Sequence, residues 1–360
     1  MKLLKSILRL ITILLAFLSI AVSIGSSICK FSDVSNNVLV LACPYLSYFW
    51  VIILSVVVLF LFLALKNFRI ALTYFAIMLL FTLLLNDFSL KPIHRRIPDK
   101  DKTYDSLNVG AYNIKYYAYG IGKISKFISE SDFDVLLLSE SVLTPEKLTY
   151  LKSSLPHYTV LTDNGHDLSI LSKYPVLDYK IIDLPTYLAS LSSSNDIDKL
   201  KAGGIHRSFV HAVINVNGTV VNILSLRLIA GRPKNRSLKE SIRWGKYLIN
   251  AQEEEVAVFL DYLRSLKGPV IFGGDLNVQP NTNVIRQIKN YAVDTFLEEH
   301  FRGPYTFKLS FPTMRIDYLF HSSNIISKNS ERVNVKTLLS DHFPVRAEFF
   351  IPRNSSSSVN

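Results

Sequence analysis

Five short polar motifs follow one another along the last two thirds of the chain: Asn113, Ser139-Glu140, Gly273-Gly274-Asp275-Leu276-Asn277, Arg315-Ile316-Asp317-Tyr318 and Ser340-Asp341-His342. Carboxylate and amide oxygens are hard ligands of the kind Mg²⁺ takes, one or two carboxylates at a time, together with water and substrate phosphate oxygens. A further carboxylate can orient or deprotonate a water, and an amide can donate to a phosphate oxygen as negative charge builds there. An imidazole beside a carboxylate is held in one tautomer and stabilised when charged. The reaction that uses all of these is metal-assisted cleavage of a phosphate ester.

Each motif alone has a plainer reading. A Glu at the end of Asp134-Val135-Leu136-Leu137-Leu138-Ser139-Glu140 is more often a solvated loop residue than a ligand, and Asn113 suits an Asx-turn. Asp275 and Asn277 lie two apart behind two glycines, so both can face one site, but the same run makes a turn with an Asp cap. His342 by itself reads as a structural histidine. The joint occurrence of all five in one order outweighs these separate readings.

The motifs need elements to hold them, and each ends an apolar run of strand character. Leu107–Tyr112 leads to Asn113, and Val135–Ser139 to Glu140. Leu168–Ser172, Phe209–Val216 and Val220–Leu226 are further strands, with Asn217-Gly218 as a hairpin turn between the last two. Strands near Val270–Phe272, Ile316–Phe320 and Val345–Phe350 follow, and Ile121–Ser131, Pro145–Ser154 and Leu238–Leu266 have helical patterning. Strands alternating with helices predict one α/β domain of roughly 250 residues.

The rest of the chain is apolar. Of 360 residues 49% are hydrophobic, too many for an ordinary soluble enzyme, and the excess lies at the N-terminus. Ile7–Ile24, Val38–Leu65 and Ile70–Leu85 predict about three transmembrane helices against the ~17–20 residues a bilayer requires. The first run also has the basic start and small-residue exit of a secretory signal, and the two runs behind it favour a retained helix. Lys2, Lys5, Arg9, Lys66 and Arg69 place those ends inside and residues after Leu85 outside, while His94, Arg95, Arg96, Lys100 and Lys102 pull the other way. The expected organisation is a membrane region at 1–90, a linker at 91–104 broken by Pro92 and Pro98, a catalytic domain at 105–352 and a disordered tail at 353–360. The localisation is integral and multi-pass, with the catalytic domain extracytoplasmic. Only Cys29 and Cys43 are present, so thiol chemistry is excluded from the catalytic part and one bridge between them is the sole disulfide open to the chain.

At these positions the sequence resembles the endonuclease/exonuclease/phosphatase superfamily, of deoxyribonuclease-like fold. The resemblance is carried by Tyr112-Asn113-Ile114, Leu138-Ser139-Glu140, Ser169-Ile170-Leu171-Ser172-Lys173-Tyr174-Pro175, Gly274-Asp275-Leu276-Asn277, Ile316-Asp317-Tyr318-Leu319-Phe320 and Ser340-Asp341-His342-Phe343-Pro344-Val345, and covers about Asn108 to Ile351. It implies a four-layer α/β sandwich, two packed mixed β-sheets flanked by helices. It implies that Asn113 and Glu140 serve the Mg²⁺ site, with Mn²⁺ as the alternative ion and Asp341 close by. Asp275 would align or activate water, Asn277 would bind phosphate, and Asp317 would pair with His342 at the scissile phosphate. One departure stands out: many members carry a His-Leu pair where this chain has Ser225-Leu226, so Arg227 becomes the candidate cation, permanently charged and matched to phosphate. Arg232, Lys234 and Arg236 extend an anionic pocket or solvate a loop. His206 and His211 match no motif and are read as structural.

The formal charge of +11 suits an anionic partner: a lipid surface, a phosphate ester or nucleic acid. Tethering at a bilayer favours a phosphate ester of lipid type, with nucleic acid as the rival and Tyr116-Tyr117 and Tyr119 as its weak aromatic signal. A degenerate, non-catalytic membrane scaffold is the non-enzymatic alternative. No obligate protein partner is implied.

Overall fold

A computed structural model describes residues 2–31, 48–85, 96–99, 103–162, 167–184, 207–230, 238–280, 282–308, 314–335 and 338–353. It falls into two units, Met1–Phe88 with Pro233–Lys246 and Pro280–Asn283, and Ser89–Arg232 with Tyr247–Gln279 and Val284–Asn360.

The first unit contains α1 (Lys2–Phe31), α2 (Tyr48–Ala64) and α3 (Phe68–Leu85). Within α1, Lys5–Gly25 is 21 residues of mean hydropathy 2.5, long and apolar enough to cross a bilayer. Here the structure corrects the expectation of three spans: among the described residues this helix alone qualifies, because the apolar stretches of the others shrink to Ile52–Ala64 and Phe68–Phe81. Part of the Val38–Leu65 run lies outside the described residues, and the chain turns between α2 and α3. That turn is a Schellman stop, in which Lys66 takes φ 59° while its N–H donates to Leu63 O (2.9 Å) and Asn67 N–H to Phe62 O (3.0 Å). Val58, Phe62, Ala71, Tyr74 and Met78 pack together, with Ser19 and Tyr74 hydroxyls 2.6 Å apart. Cys43 lies outside the described residues, and so does any bridge to it.

The second unit is built on two six-stranded sheets. One has β1 (Tyr104–Asn113), β2 (Val135–Ser139), β3 (Thr159–Thr162), β4 (Leu168–Ser172), β11 (Ile326–Arg332) and β12 (Val345–Pro352), in the order β11-β12-β1-β2-β4-β3. The other has β5 (Val176–Asp183), β6 (Ser208–Val216), β7 (Thr219–Leu226), β8 (Val270–Asp275), β9 (Val293–Asp294) and β10 (Asp317–His321), in the order β5-β6-β7-β8-β10-β9. Both sheets are mixed: β1–β2 and β7–β8 run parallel, and the remaining pairs antiparallel. The hairpin turn is as expected, with Asn217 at φ 51° and Gly218 at φ 98°, both in the left-handed region that a type I′ turn requires.

The two-residue side-chain period of a strand sorts residues between layers. Val109, Ala111, Val135 and Leu137 meet Val210, Ala212, Ile223, Ile271 and Leu319 between the sheets. On the outer face of the first sheet, Tyr112, Leu136 and Leu138 pack on Ile124 and Ile128 of α4 (Ile121–Ser129) and Leu151 of α5 (Pro145–Ser154). On the outer face of the second, Leu224, Phe272 and Phe320 pack on Val256, Phe259 and Leu260 of α6 (Leu238–Ser265) and on Val284, Ile285 and Ile288 of α7 (Asn283–Lys289). β2 therefore has two buried faces, and its continuous apolar run, rather than an alternating one, follows. The layers are helix, sheet, sheet, helix, as the resemblance implies.

The linker reading meets a specific contact. Arg96 Nε donates to Glu298 Oε1 (2.6 Å) and its Nη2 to Ile325 O (2.9 Å), Glu298 lying in the short α8 (Thr295–Glu299).

Candidate active site

Sheet register brings the motifs to one edge of the sandwich. In β1 and β2, Asn113 stands beside Ser139, so Asn113 and Glu140 leave the first sheet together. In β8 and β10, Asp275 is directly opposite Asp317. Ser225 of β7 is level with Gly273 of β8, and Leu228 N–H donates to Asp275 O at 3.3 Å, which puts Arg227 beside Asp275. The carboxyl ends of both parallel pairs thus face one site, where open α/β sheets bind ligands.

Asp275 is the centre. It is 1% exposed, accepts Asn113 Nδ2–H at 2.8 Å on Oδ2 and Asn277 N–H at 3.0 Å on Oδ1, and its own N–H reaches Ser139 Oγ at 3.3 Å. Burial raises its carboxyl above the usual range, opposed by His342, whereas Asp317 adds to the rise. Gly274 allows this approach: it has φ 138°, and a Cβ there would run into Leu226 O.

His342 Nδ1 lies 2.9 Å from Asp317 Oδ2 and 3.1 Å from Oδ1. Thr306 Oγ1 fixes the carboxylate's backbone by accepting from Ile316 and Asp317 N–H, both at 3.1 Å, and Phe307 packs on the imidazole with centroids 4.9 Å apart. Burial alone would lower the histidine, but Asp317 and Asp275 push it up to about 9. With Nδ1 taken by Asp317, Nε2–H is left as the donor toward the site. Asp275, Asp317 and His342 offer ligand atoms within 4.8 Å of one another, a buried group of metal-binding type.

Arg227 Nη2 donates to Glu140 Oε1 at 2.7 Å and Nη1 pairs with Asp167, while Nε is 4.0 Å from Asp275 Oδ2. Burial would lower this guanidinium, but Asp167, Asp275 and Glu140 together raise it. Arg227, two residues past Ser225, lies among the carboxylates of the site; Ser225 Oγ is buried without a hydrogen-bond partner. Asp341 pairs with Lys115 Nζ at 2.9 Å and is lowered: burial opposes this, and the Lys115 contact and His342 prevail. Asn277 Nδ2 donates to Leu228 O at 3.0 Å, which uses one of its two amide hydrogens.

The structure therefore gathers Asn113, Glu140, Arg227, Asp275, Asn277, Asp317, Asp341 and His342, linked by these contacts. Arg232, Lys234, Arg236 and His206 lie outside the described residues. His211 is structural, bonded to Tyr262 Oη (2.8 Å) and Asn222 Oδ1 (2.9 Å). The sequence reading missed Asp167, whose signal was its place just ahead of the β4 run, and Lys115. It also missed the buried Arg207–Glu255 pair (2.9 Å), which holds the segment carrying Arg227.

Backbone conformation marks the same place. Lys115, Tyr116, Tyr117, Glu140 and Asn277 have φ between 51° and 61°, a left-handed region costly for L-residues and concentrated at functional sites. Tyr116, 47% exposed, stands near the Arg227 cluster, where burial and Glu140 raise its hydroxyl and Arg227 opposes the rise.

Comparison with known proteins follows this geometry. The sequence profile of the Endonuclease/Exonuclease/phosphatase family matches residues 106–342. Among solved structures, an endonuclease/exonuclease/phosphatase from Bacteroides vulgatus aligns with TM-score 0.52 and 15% identity over 68% of this chain and 99% of its own. A family protein from Bacteroides thetaiotaomicron gives 0.51 and 20% over 69% and 99%. D. rerio TDP2 complexed with a single-strand DNA product gives 0.51 and 16% over 68% and 98%. No curated protein sequence matches the chain. These likenesses concern the fold, and the profile spans more than half of the sequence; the chain belongs to the endonuclease/exonuclease/phosphatase family.

Proposed function

We propose that the protein is a membrane-anchored, Mg²⁺-dependent hydrolase of phosphoric esters acting on a lipid-linked or other extracytoplasmic phosphate. The observation that carries this reading is the connected cluster in which Asp275, held by Asn113 and opposite the Asp317–His342 pair, neighbours Arg227, and Arg227 pairs with Glu140. Family membership supports the reaction class, and the apolar α1 supports the anchor.

The donors fit a hard divalent cation. Glu140, Asp167, Asp275, Asp317 and Asp341 are five carboxylates, and the basic groups paired directly with them are Arg227, Lys115 and His342. The carboxylate oxygens are hard donors of the kind a divalent ion takes, and Glu140 and Asp341 keep part of their side chains accessible. Glu140, Asp341 and the free lone pair of Asn113 Oδ1 would hold it, and it would polarise a phosphate oxygen.

The chain's own groups then divide the work. Asp275, fixed by Asn113 and the Asn277 N–H, aligns the water for in-line attack and takes its proton, for which a raised carboxyl is suited, while the opposite P–O ester bond breaks and the departing alkoxide is protonated by solvent. His342 Nε2–H and the second amide hydrogen of Asn277 donate to the phosphate oxygens as charge builds. Arg227 adds a permanent positive charge.

The test is metal-dependent product release by the full-length chain in detergent micelles. Phospholipid, polyprenyl phosphate and single-stranded DNA are supplied with Mg²⁺ or EDTA, beside a His342→Ala control. Lipid turnover lost in the control supports the proposal. DNA cleavage alone moves the chain to the nuclease reading, and no turnover on any substrate favours the scaffold.

A further inference from the structure

Arg227 is over-supplied with acceptors and incompletely used. Its side chain is 9% exposed and contacts three carboxylates. Yet its Nε is buried without a hydrogen bond, 4.0 Å from Asp275 Oδ2. A buried donor left unpaired in this way is a position that a bound anion can satisfy. The backbone beneath it is clamped: Arg207 Nη2 donates to Arg227 O at 2.6 Å, Ile229 N–H to Glu255 Oε2 at 2.8 Å, and Gln252 Nε2 to Ile229 O at 2.9 Å. Only the side chain is free to change partners.

Glu140 has two claimants. It is the carboxylate assigned to the divalent cation, and Arg227 Nη2 now sits on its Oε1 at 2.7 Å. A cation on Glu140 sets a second positive charge beside the guanidinium and weakens that pair. Were Glu140 the sole partner, release would leave a buried, unpaired charge, which is strongly disfavoured. Asp167 removes that obstacle. It holds the other terminal nitrogen of Arg227, lies directly ahead of β4, and belongs to none of the five sequence motifs.

We propose that Asp167 is a positioning residue: it retains Arg227 as an internal counter-cation when a divalent ion takes Glu140, and turns the freed guanidinium edge toward the phosphate. This rests on the metal-dependent reading above. Arg227 opposes metal binding while it sits on Glu140 and favours the anion once displaced, so metal and phosphate bind cooperatively. Lys115 on Asp341 is a second cation of the same kind.

The experiment is calorimetric titration of the full-length chain in micelles with Mn²⁺, with and without saturating inorganic phosphate, for wild type, Asp167→Asn, Asp167→Glu and Arg227→Met. In the wild type, phosphate should tighten Mn²⁺ binding about tenfold, within the usual range of site coupling. Asp167→Asn should reduce that factor below about threefold, and Asp167→Glu should restore it. Arg227→Met should bind Mn²⁺ more tightly without phosphate and lose the coupling. A merely structural Asp167 would lower thermal stability and leave the coupling factor alone. Wild-type coupling in Asp167→Asn, or weaker Mn²⁺ binding in Arg227→Met, overturns the inference while leaving the metalloenzyme reading intact. A wild type that binds no Mn²⁺ overturns both.

Discussion

Replacing Glu298 by Gln tests the electrostatics of the fold where they are least entangled with catalysis. Glu298 Oε2 accepts His321 Nε2 at 2.9 Å, Ser327 Oγ at 2.7 Å and Ser327 N–H at 3.2 Å, and Oε1 accepts Arg96 Nε at 2.6 Å. Burial alone would raise this carboxyl; His321 first, then Ser327 and Arg96, hold it down at about 2 against an ordinary 4.5. At about 1.4 kcal/mol per pH unit, that depression corresponds to stabilisation of about 3 kcal/mol. The folded value lies below the unfolded one, so the contribution is complete above about pH 4.5 and fades as pH falls toward about 2. Arg96 is 38% exposed on its side chain, so solvent screens its share, and Arg96→Ala should lose no more than about 1 kcal/mol. Urea unfolding of the full chain from pH 7 to pH 3 measures both. Glu298→Gln should lower neutral stability by about 3 kcal/mol, or roughly 6–12 °C in Tm for a domain of this size, and should flatten the acid slope. Parallel pH profiles for wild type and Glu298→Gln would refute the assignment.

Three further outcomes follow from the site. Asp275→Asn removes the water-aligning carboxylate while keeping an acceptor for Asn113, so kcat on a chromogenic phosphodiester should fall by about 10²–10⁴ with an unchanged circular dichroism spectrum. Gly274→Ala forces a Cβ onto Leu226 O at φ 138°; it should destabilise by about 1–3 kcal/mol, read in Tm, and reduce kcat because Asp275 is the next residue. Glu255→Gln leaves Arg207, itself 5% exposed, a buried charge without its counter-ion. A loss of about 3–5 kcal/mol in urea unfolding is expected, larger than that of Arg207→Met with Glu255→Gln combined.

The sequence made legible those elements whose local pattern and tertiary role agree. β2, β4 and α5 have the boundaries their apolar runs suggest, because β2 and β4 are wholly buried and α5 opens with Thr144 capping the Lys147 N–H ahead of Pro145. β5 and β11 went unread because they lie at sheet edges: Leu177, Asp178, Tyr179 and Lys180 are all exposed, and β11 carries Lys328, Asn329 and Glu331 with a register shift. Among the described residues the membrane reading counted too many spans for a different reason: a span needs about 17–20 apolar residues in one helix, and the apolar helical stretches Ile52–Ala64 and Phe68–Phe81 are shorter. At the site, residues next to strand ends were visible, but Asp167 and the Arg207–Glu255 clamp act through partners 60 and 48 positions away.

An arginine two residues past the position where the resemblance implies a histidine changes what the site needs from its neighbours. A histidine at the end of β7 could shed its proton when no anion is present, whereas a guanidinium cannot. A permanent charge that is 9% exposed must be balanced at every stage of the cycle, before the metal arrives, with metal alone, and with the ester in place. On the metal-dependent reading proposed above, Glu140 and Asp275 would not supply that balance throughout, because the metal and the attacking water would claim them in turn. The arginine therefore requires a carboxylate with no other duty, and Asp167 is the one in contact. The rigidity around it has the same origin: a charge that changes partners without moving its backbone needs the segment 227–229 clamped from beneath, which Arg207, Gln252 and Glu255 accomplish. Fixing that backbone confines the response to side-chain rotation, so under the proposal Arg227 would move between Glu140 and the phosphate while Asp275 and His342 keep their places.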